Sequence, residues 1–328
     1  MTAESVKPLS PAVEEFAGNS AARAAKRLLH AMRPKFFPAS VLPVIVGTAW
    51  GAAVAGQFDT PAFLLALLAI VCVHAGSNVL NDVGDDIGGT DRQNDQRIYP
   101  YTGGSRFIQS GIMDQRAMAT WGAALLVVAA VAGLVLILLK GPLVLIFGLV
   151  GITVGVVYSL GPLPLSTLGL GETAVGFAFG LLPVSGAAWL QSGVVDFSVV
   201  LVALPVSAWV AAILLINEVP DISADGATGK RTLPVRLGLR NTSLVYSSLH
   251  AGAALLVLAM TVLDLLPLLA PLVPIALLTL TSRAGNAIRR GTQDMAGLRR
   301  GIEATLAIHT VGSIWLTGCI IYAAYNGG

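Results

Sequence analysis

The chain has 328 residues, of which 55% are hydrophobic and 12% are charged. Soluble domains carry about 25% charged residues, so this composition excludes an ordinary soluble protein and indicates an integral membrane protein. The net charge of +2 is uninformative, and no nucleic-acid partner is expected.

The first segment, residues 1–36, is polar and lacks the apolar core of a cleavable signal peptide. Residues 20–33 are basic and amphipathic, which predicts an interfacial helix on the membrane surface. A simple solvated helix fits the same pattern equally well. Residues 37–328 are interpreted as a single transmembrane domain.

The rest of the chain predicts an all-α, multi-pass membrane protein, because a membrane-spanning helix needs about 20 apolar residues. Nine spans are predicted, at 37–57, 61–82, 117–139, 142–159, 168–190, 197–217, 242–263, 265–282 and 303–325.

Basic residues test this topology. All of the 20 lysines and arginines except Lys140 fall in the N-terminal segment or in the loops after the second, sixth and eighth spans. By the positive-inside rule, the N-terminus and these loops are cytoplasmic, and the C-terminus is outside. The expected location is the inner, or cytoplasmic, membrane.

One acidic signature occurs twice. Residues 81–85 read N-D-V-G-D at the end of the second span, and residues 217–221 read N-E-V-P-D at the end of the sixth. Further acids follow each copy: Asp86 and Asp91 after the first, Asp225 after the second. Because four spans separate them, both copies are predicted at the same membrane face, where acids mark functional sites.

The spacing within each copy predicts a ligand site. Asn81 and Asp85 are four apart, as are Asn217, Asp221 and Asp225, and residues four apart share a helix face. Magnesium is usually held by one or two carboxylates together with substrate phosphates. Two facing clusters are therefore predicted to hold a diphosphate through bridging Mg²⁺ ions.

Basic residues beside the clusters are candidates for phosphate contacts. Arg97 and Arg106 follow the first copy, and Lys230 and Arg231 follow the second. They would bind phosphate oxygens and stabilise departing pyrophosphate. The alternative is that they only obey the positive-inside rule. Glu172, at the start of the fifth span, is either a helix N-terminal charge or a site acid.

The motifs resemble those of the UbiA superfamily of intramembrane aromatic prenyltransferases, over about residues 30–325. The first copy with Asp91 resembles that family's N-D-x-x-D-x-x-x-D motif with a longer gap. Residues 217–238, including G-K-R-T-L-P-V-R-L-G, resemble the MenA branch, which prenylates 1,4-dihydroxy-2-naphthoate in menaquinone synthesis. Residues 33–35 and 169–172 also resemble that branch.

The resemblance implies nine helices around a central cavity, where two Mg²⁺ ions bind an isoprenyl diphosphate. Ionisation of the allylic C–O bond gives pyrophosphate and a carbocation that an electron-rich ring attacks. Tyr158 is placed near that cation by cation–π attraction. The predicted metal ligands are Asp85, Asp91, Asp221 and Asp225, and the predicted diphosphate contacts are Asn81, Asn217, Arg97, Arg106 and Lys230.

The expected activity is Mg²⁺-dependent transfer of a polyprenyl group to an aromatic acceptor, with Asp85, Asp221, Lys230 and Tyr158 as the catalytic residues. Its partners are a polyprenyl diphosphate, the acceptor and the lipid bilayer. The expected acceptor is 1,4-dihydroxy-2-naphthoate. The alternative is a different acceptor, such as homogentisate, another ring or a lipid. A secondary transporter that uses intramembrane carboxylates is a rival from another class.

Overall fold

The computed structural model describes residues 11–88, 97–159, 164–194 and 197–326, and every regular element in these ranges is helical. The helices are α1 (Ala21–Ala31), α2 (Pro38–Ala55), α3 (Thr60–Gly88), α4 (Gln115–Lys140), α5 (Leu143–Ser159), α6 (Gly171–Gly176), α7 (Leu182–Ser192), α8 (Phe197–Asn217), α9 (Ile222–Ala227), α10 (Leu233–Val262), α11 (Leu272–Arg290) and α12 (Met295–Asn326).

The described helices confirm an all-α, multi-pass architecture. Seven helical stretches are long and apolar enough to cross a membrane, and the last of them, Leu272–Asn326, contains both α11 and α12. A shorter apolar helix covers Leu143–Tyr158. Each predicted span thus overlaps a helix, whereas the number of nine crossings stays a prediction.

The boundary between the seventh and eighth predicted spans is wrong. The eighth span was predicted at 265–282, whereas α11 covers Leu272–Arg290. Asp264 adopts a left-handed conformation with φ of 57°, which ends the preceding helix. The chain then turns, and Pro271 precedes the first residue of α11 because proline suits a helix start.

The bundle core depends on small residues that let helices approach closely. Helix α8 is central, because 67% of its apolar stretch is buried inside the protein. This is the largest buried share among the candidate membrane spans. Gly47 and Gly51 on α2 lie directly against the backbone of Val184 and Ala188 on α7, where a Cβ atom would collide. This Gly-x-x-x-Gly contact is typical of membrane helix packing.

Helices α6 and α7 form one continuous helical span with a π-helical turn between them. That turn covers Phe177–Leu181 and is followed at once by Leu182, the first residue of α7. π-helical turns are rare inside helices and often occur near functional sites. The span begins at Gly171, beside the acidic residues described below.

The N-terminal helix α1 packs on the end of the bundle at which α3 and α8 finish and α10 begins, here called the motif end. The Trp121 indole donates to the Leu28 carbonyl at 3.2 Å, and the Asn78 amide donates to the Met32 carbonyl at 3.3 Å. Arg27 donates to the Phe16 carbonyl at 2.8 Å. The predicted helix is therefore present, and its place on the membrane surface stays a prediction.

Candidate active site

The first acidic motif lies on an unbroken helix. Helix α3 continues through the motif to Gly88, and the Asn81 amide Nδ2 donates to Asp85 Oδ2 at 2.7 Å. This contact confirms that the two side chains share a face. The amide therefore fixes the orientation of the Asp85 carboxylate.

Asp82 is buried and holds a loop through one of its carboxylate oxygens. Its side chain is 3% exposed, and its Oδ2 accepts a hydrogen bond from the Ser105 backbone N–H at 2.9 Å. The glycines of this loop are required: Gly103 has φ of +73°, and a Cβ there would lie 2.9 Å from Arg97 Cδ. Sequence reasoning assigned no such anchoring role to Asp82, because the contact joins residues 23 positions apart.

The second acidic motif lies on a broken helix, so the prediction of one continuous face from Asn217 to Asp225 is wrong. Helix α8 ends at Asn217, the next four residues form a turn, and α9 begins at Ile222. Pro220 in that turn has no N–H to continue the helical hydrogen bonds. The Asp225 N–H still donates to the Asp221 carbonyl at 2.8 Å, which keeps the two acids on adjacent turns.

Asp225 and Lys230 form an ion pair at the end of the second motif. Lys230 Nζ lies 3.5 Å from Asp225 Oδ1, and the Lys230 backbone N–H donates to the Asp225 carbonyl at 2.9 Å. Burial raises the pKa of Asp225, and the neighbouring Lys230 cation opposes that rise. The site thus holds a buried acid with a partly exposed cation beside it.

The two motifs converge. Lys230 interacts electrostatically with Asp85 of the first motif as well as with Asp225 of the second. Tyr158, near the end of α5, interacts with acids of both motifs, including Asp85 and Asp225. These interactions bring together residues that the sequence places 136 positions apart, on α3 and around α9.

A second pair of acids lies next to the motifs. Glu172 is in the first turn of α6 and Glu218 follows α8; they are 5% and 7% exposed. The Glu172 carboxyl group lies close enough to Glu218 to act on it electrostatically. Burial, followed by the Glu172 charge, raises the pKa of Glu218 well above its usual range. Of the two interpretations of Glu172, this placement favours a site acid.

The predicted arginines lie in the loop between α3 and α4. Arg106 is 6% exposed and adopts φ of 63° directly after Ser105. Arg97 packs its side chain against Gly103. Arg33, which was grouped with the N-terminal charges, also reaches this loop and donates to the Tyr101 carbonyl at 3.1 Å. The predicted ligand Asp91 lies outside the described residues.

The oxygen atoms of the site suit a hard cation. Within the described ranges, Asp82 Oδ1, Asn217 Oδ1 and Asp225 Oδ2 are buried and have no hydrogen-bond partner. No three His, Cys, Asp or Glu side chains among the described residues come close enough to hold a metal by themselves. Carboxylate and amide oxygens shared with substrate phosphates are the usual environment of Mg²⁺.

Comparisons with known proteins identify the family of this chain. The UbiA prenyltransferase family profile matches residues 40–300. The 1,4-dihydroxy-2-naphthoate octaprenyltransferase of Mycobacterium tuberculosis is 34% identical over 224 residues, covering 68% of this chain and 74% of the relative. The enzyme of the same name from Mycobacterium leprae is 31% identical over 295 residues, covering 88% and 96%.

A solved structure supports the fold. The structure of a UbiA homolog from Archaeoglobus fulgidus bound to DMAPP and Mg²⁺ covers 88% of this chain and 99% of its own, with a TM-score of 0.59 and 16% identity. Apolar helices, two converging acidic motifs and full-length sequence similarity all lead to the same assignment. The chain is an integral membrane prenyltransferase that belongs to the UbiA prenyltransferase family.

Proposed function

We propose that this enzyme transfers a polyprenyl group from an isoprenyl diphosphate to 1,4-dihydroxy-2-naphthoate in a Mg²⁺-dependent reaction. The observation that supports this most directly is the convergence of Asp85 and Asp225 on Lys230, which sets carboxylates and a cation from both motifs around one space. The acceptor is inferred from the curated relatives, which are named for it.

Different residues are proposed to hold the metal ions and to orient the metal-binding carboxylates. Asp85, Asp221 and Asp225, with Asp91, would hold Mg²⁺, which when bound neutralises the charge of the leaving pyrophosphate. Asn81 keeps the Asp85 carboxylate in one orientation through its 2.7 Å hydrogen bond.

Phosphate oxygens need donors as well as metal ligands. Lys230, 38% exposed and 3.5 Å from Asp225, can turn its ammonium group from that carboxylate to a phosphate. Arg106 and Arg97 in the loop held by Asp82 are proposed as further donors, and Asn217 as an orienting amide. The electron pair of the allylic C–O bond leaves with the pyrophosphate, and these cations stabilise it there.

Tyr158 is proposed to protect the allylic cation. Its ring lies near both acidic motifs, and an aromatic face attracts a nearby cation. The burial of the acids around it keeps water from the carbon that the acceptor ring attacks. The prenyl tail would extend between apolar helices toward the bilayer, and the motif end is proposed to face the cytoplasm from the inner membrane.

The test is prenyl transfer from a labelled diphosphate by purified Asp85→Ala and Asp221→Ala variants. Each is expected to lose about 100-fold or more in rate, because each removes a group that stabilises the leaving charge. Asp264→Asn is the matched control: this acid is exposed at the opposite end of the bundle, and asparagine tolerates its left-handed backbone. Near wild-type rates in both alanine variants would overturn the proposal.

The products of the reaction distinguish a prenyltransferase from the alternative, a secondary transporter. The acids of a transporter should lie near the bilayer midplane, whereas both motifs here lie near the ends of the long helices α3 and α8. Metal-dependent release of pyrophosphate with a prenylated acceptor supports the enzyme. Ion flux in proteoliposomes without pyrophosphate release would support transport instead.

A further inference from the structure

Basic side chains of α1 hold the chain that precedes the helix. Residues 11–18, here called the N-terminal strap, lie against α1. Arg27 Nη1 donates to the Phe16 and Gly18 carbonyls, at 2.8 Å each. The Lys26 ammonium lies 5.1 Å from the centre of the Phe16 ring. A helix that binds a membrane surface directs its cations at lipid phosphates, whereas these two cations contact the strap.

The strap packs one aromatic ring against the loop between α3 and α4. The rings of Phe16 and Phe107 meet edge to face, with their centres 4.9 Å apart. This is a favourable geometry for an aromatic pair. The two residues are only 4% and 1% exposed. Phe16 therefore covers Phe107 and fixes it from outside the loop.

Phe107 lies at the centre of the turn that contains Arg106. The Phe107 carbonyl accepts the Ile112 N–H at 2.9 Å, and the Arg106 carbonyl accepts the Ser110 N–H at 3.0 Å. Arg106 has φ of 63°, which a residue other than glycine adopts only where its surroundings hold it. Because Phe107 is the next residue, its packing determines where the Arg106 backbone and side chain lie.

Helix α1 is itself fixed to the helices around the site. The Trp121 indole of α4 donates to the Leu28 carbonyl at 3.2 Å. The Asn78 amide of α3 donates to the Met32 carbonyl at 3.3 Å, three residues before Asn81 of the first motif. The strap therefore has a defined position relative to that motif.

We propose that Phe16 is a positioning residue for diphosphate binding, which acts through Phe107 to hold Arg106 in its left-handed conformation. This inference rests on the proposed function, in which Arg106 donates to phosphate oxygens. Without the Phe16 ring, the loop retains its hydrogen bond to Asp82, but the turn around Phe107 loses its cover. Part of the binding energy of the diphosphate is then used to order that turn.

The experiment compares Phe16→Ala, Phe16→Leu and Arg27→Met in the full-length protein purified in detergent. The first removes the ring, and the second retains much of its apolar volume. Arg27→Met removes the donors that hold the strap while leaving Phe16 in place. Val13→Ala is the matched control, because Val13 is an apolar residue of the same strap and is 45% exposed.

Initial rates give kcat, the KM for the diphosphate with Mg²⁺ and the KM for 1,4-dihydroxy-2-naphthoate. We expect Phe16→Ala and Arg27→Met to raise the diphosphate KM about five- to tenfold, the equivalent of ordering one side chain and its turn. The kcat and the acceptor KM should stay within about twofold. Phe16→Leu should be intermediate, and Val13→Ala should match the wild type. An unchanged diphosphate KM, or an equal rise in both KM values, would overturn the inference.

A double variant tests whether Phe16 acts through Arg106. Arg106→Ala removes the proposed phosphate donor, so adding Phe16→Ala to it should change the diphosphate KM by less than about twofold. If Phe16 only stabilised the fold, the two substitutions would raise that KM independently. Additive effects would therefore contradict the proposal.

Failure of the proposed function gives a different result, because the wild type itself then transfers no prenyl group to the naphthoate. Binding of inorganic pyrophosphate with Mg²⁺ is then measured from the shift in unfolding temperature of wild type, Phe16→Ala and Val13→Ala. A shift that is reduced only in Phe16→Ala supports the positioning role. Equal shifts in all three proteins, or no shift in the wild type, reject it.

Discussion

The two copies of the acidic motif begin alike and differ in how the helix continues. In the first, α3 remains helical through Asp85, so the Asn81 amide can bond to the carboxylate four residues on. In the second, α8 ends at Asn217 and the chain turns before α9. The comparison teaches that an unbroken helix lets the motif asparagine bond to the acid four residues on, whereas the broken helix leaves Asn217 Oδ1 unpartnered within the described residues.

The buried second position of the motif shows the same contrast. Asp82 and Glu218 occupy equivalent places, and both are almost fully buried. Asp82 accepts a backbone N–H from Ser105 and thereby holds a loop. Glu218 meets another acid, Glu172, instead of a donor. The second position of the first copy therefore holds a loop with one oxygen, whereas that of the second copy lies against another acid.

Alanine substitutions of the two motif asparagines, Asn81 and Asn217, are expected to give the largest effects. Asn81→Ala should lower the apparent Mg²⁺ affinity about 10- to 100-fold, as for partners that orient a ligating carboxylate. Asn217→Ala should raise the diphosphate KM by a similar factor, because its oxygen is proposed to face the ligand. Titration of activity with Mg²⁺ and diphosphate separates the two effects.

Asn326→Ala is the control for these variants, because Asn326 is exposed near the end of α12 and its amide donates to the Tyr322 carbonyl within its own helix. If Asn217→Ala leaves the diphosphate KM unchanged, the proposed difference between the two copies is wrong.

Asp82 should matter for stability. Asp82→Ala leaves the buried Ser105 N–H without an acceptor, which should lower the free energy of unfolding by about 1–3 kcal/mol. Asp82→Asn, which retains an acceptor oxygen, should cost less. Thermal unfolding in detergent measures both, and equal losses in the two variants would show that charge, not the hydrogen bond, holds the loop.

Glu218→Gln should have a smaller effect of the opposite sign. Removing one acid from a buried acidic pair relieves repulsion while the amide can donate to Glu172, so stability should be unchanged or higher by up to about 1 kcal/mol. The same thermal unfolding assay measures it. A loss as large as that of Asp82→Ala would mean that both second-position acids are structural.

The smallest effect is expected at the opposite end of the bundle, where an acid is fully paired. Lys140 Nζ lies 2.6 Å from Asp59 Oδ2, and this hydrogen bond lowers the pKa of Asp59. Because the folded pKa is lowered, the stabilisation is present above the unfolded value of about 3.9 and is lost as pH falls through the folded pKa.

Lys140→Met should therefore destabilise by about 0–1 kcal/mol near pH 7, as for partly exposed ion pairs. The difference from wild type should shrink as the pH falls below about 4 and disappear once the pH lies below the folded pKa of Asp59. Unfolding temperatures at several pH values test this. A difference that persists in acid would assign the effect to side-chain packing and not to charge.

Much of the architecture follows from local patterns in the sequence. Hydropathy placed the helices, and four-residue spacing paired Asn81 with Asp85, because both depend on neighbours along the chain. Pro220 accounts for the break in the second copy, since proline cannot continue a helix, whereas the matched spacing alone predicts a continuous face.

The remaining contacts depend on tertiary structure. Glu172 and Glu218 are 46 positions apart, and Asp82 meets Ser105 across a glycine-rich turn, so no local pattern could join them. The left-handed turn at Asp264, which displaced the start of α11, is equally hidden because asparagine and aspartate adopt it only where the surrounding chain requires it.

The π-helical turn at Phe177–Leu181 makes the length of this span sensitive to single-residue changes. It lies between Glu172, which faces the acids, and Val184 and Ala188, which contact the glycines of α2. One residue corresponds to about 100° of rotation in an α-helix. A one-residue deletion in the turn therefore rotates Glu172 away from Glu218 while Val184 and Ala188 keep their contacts with α2.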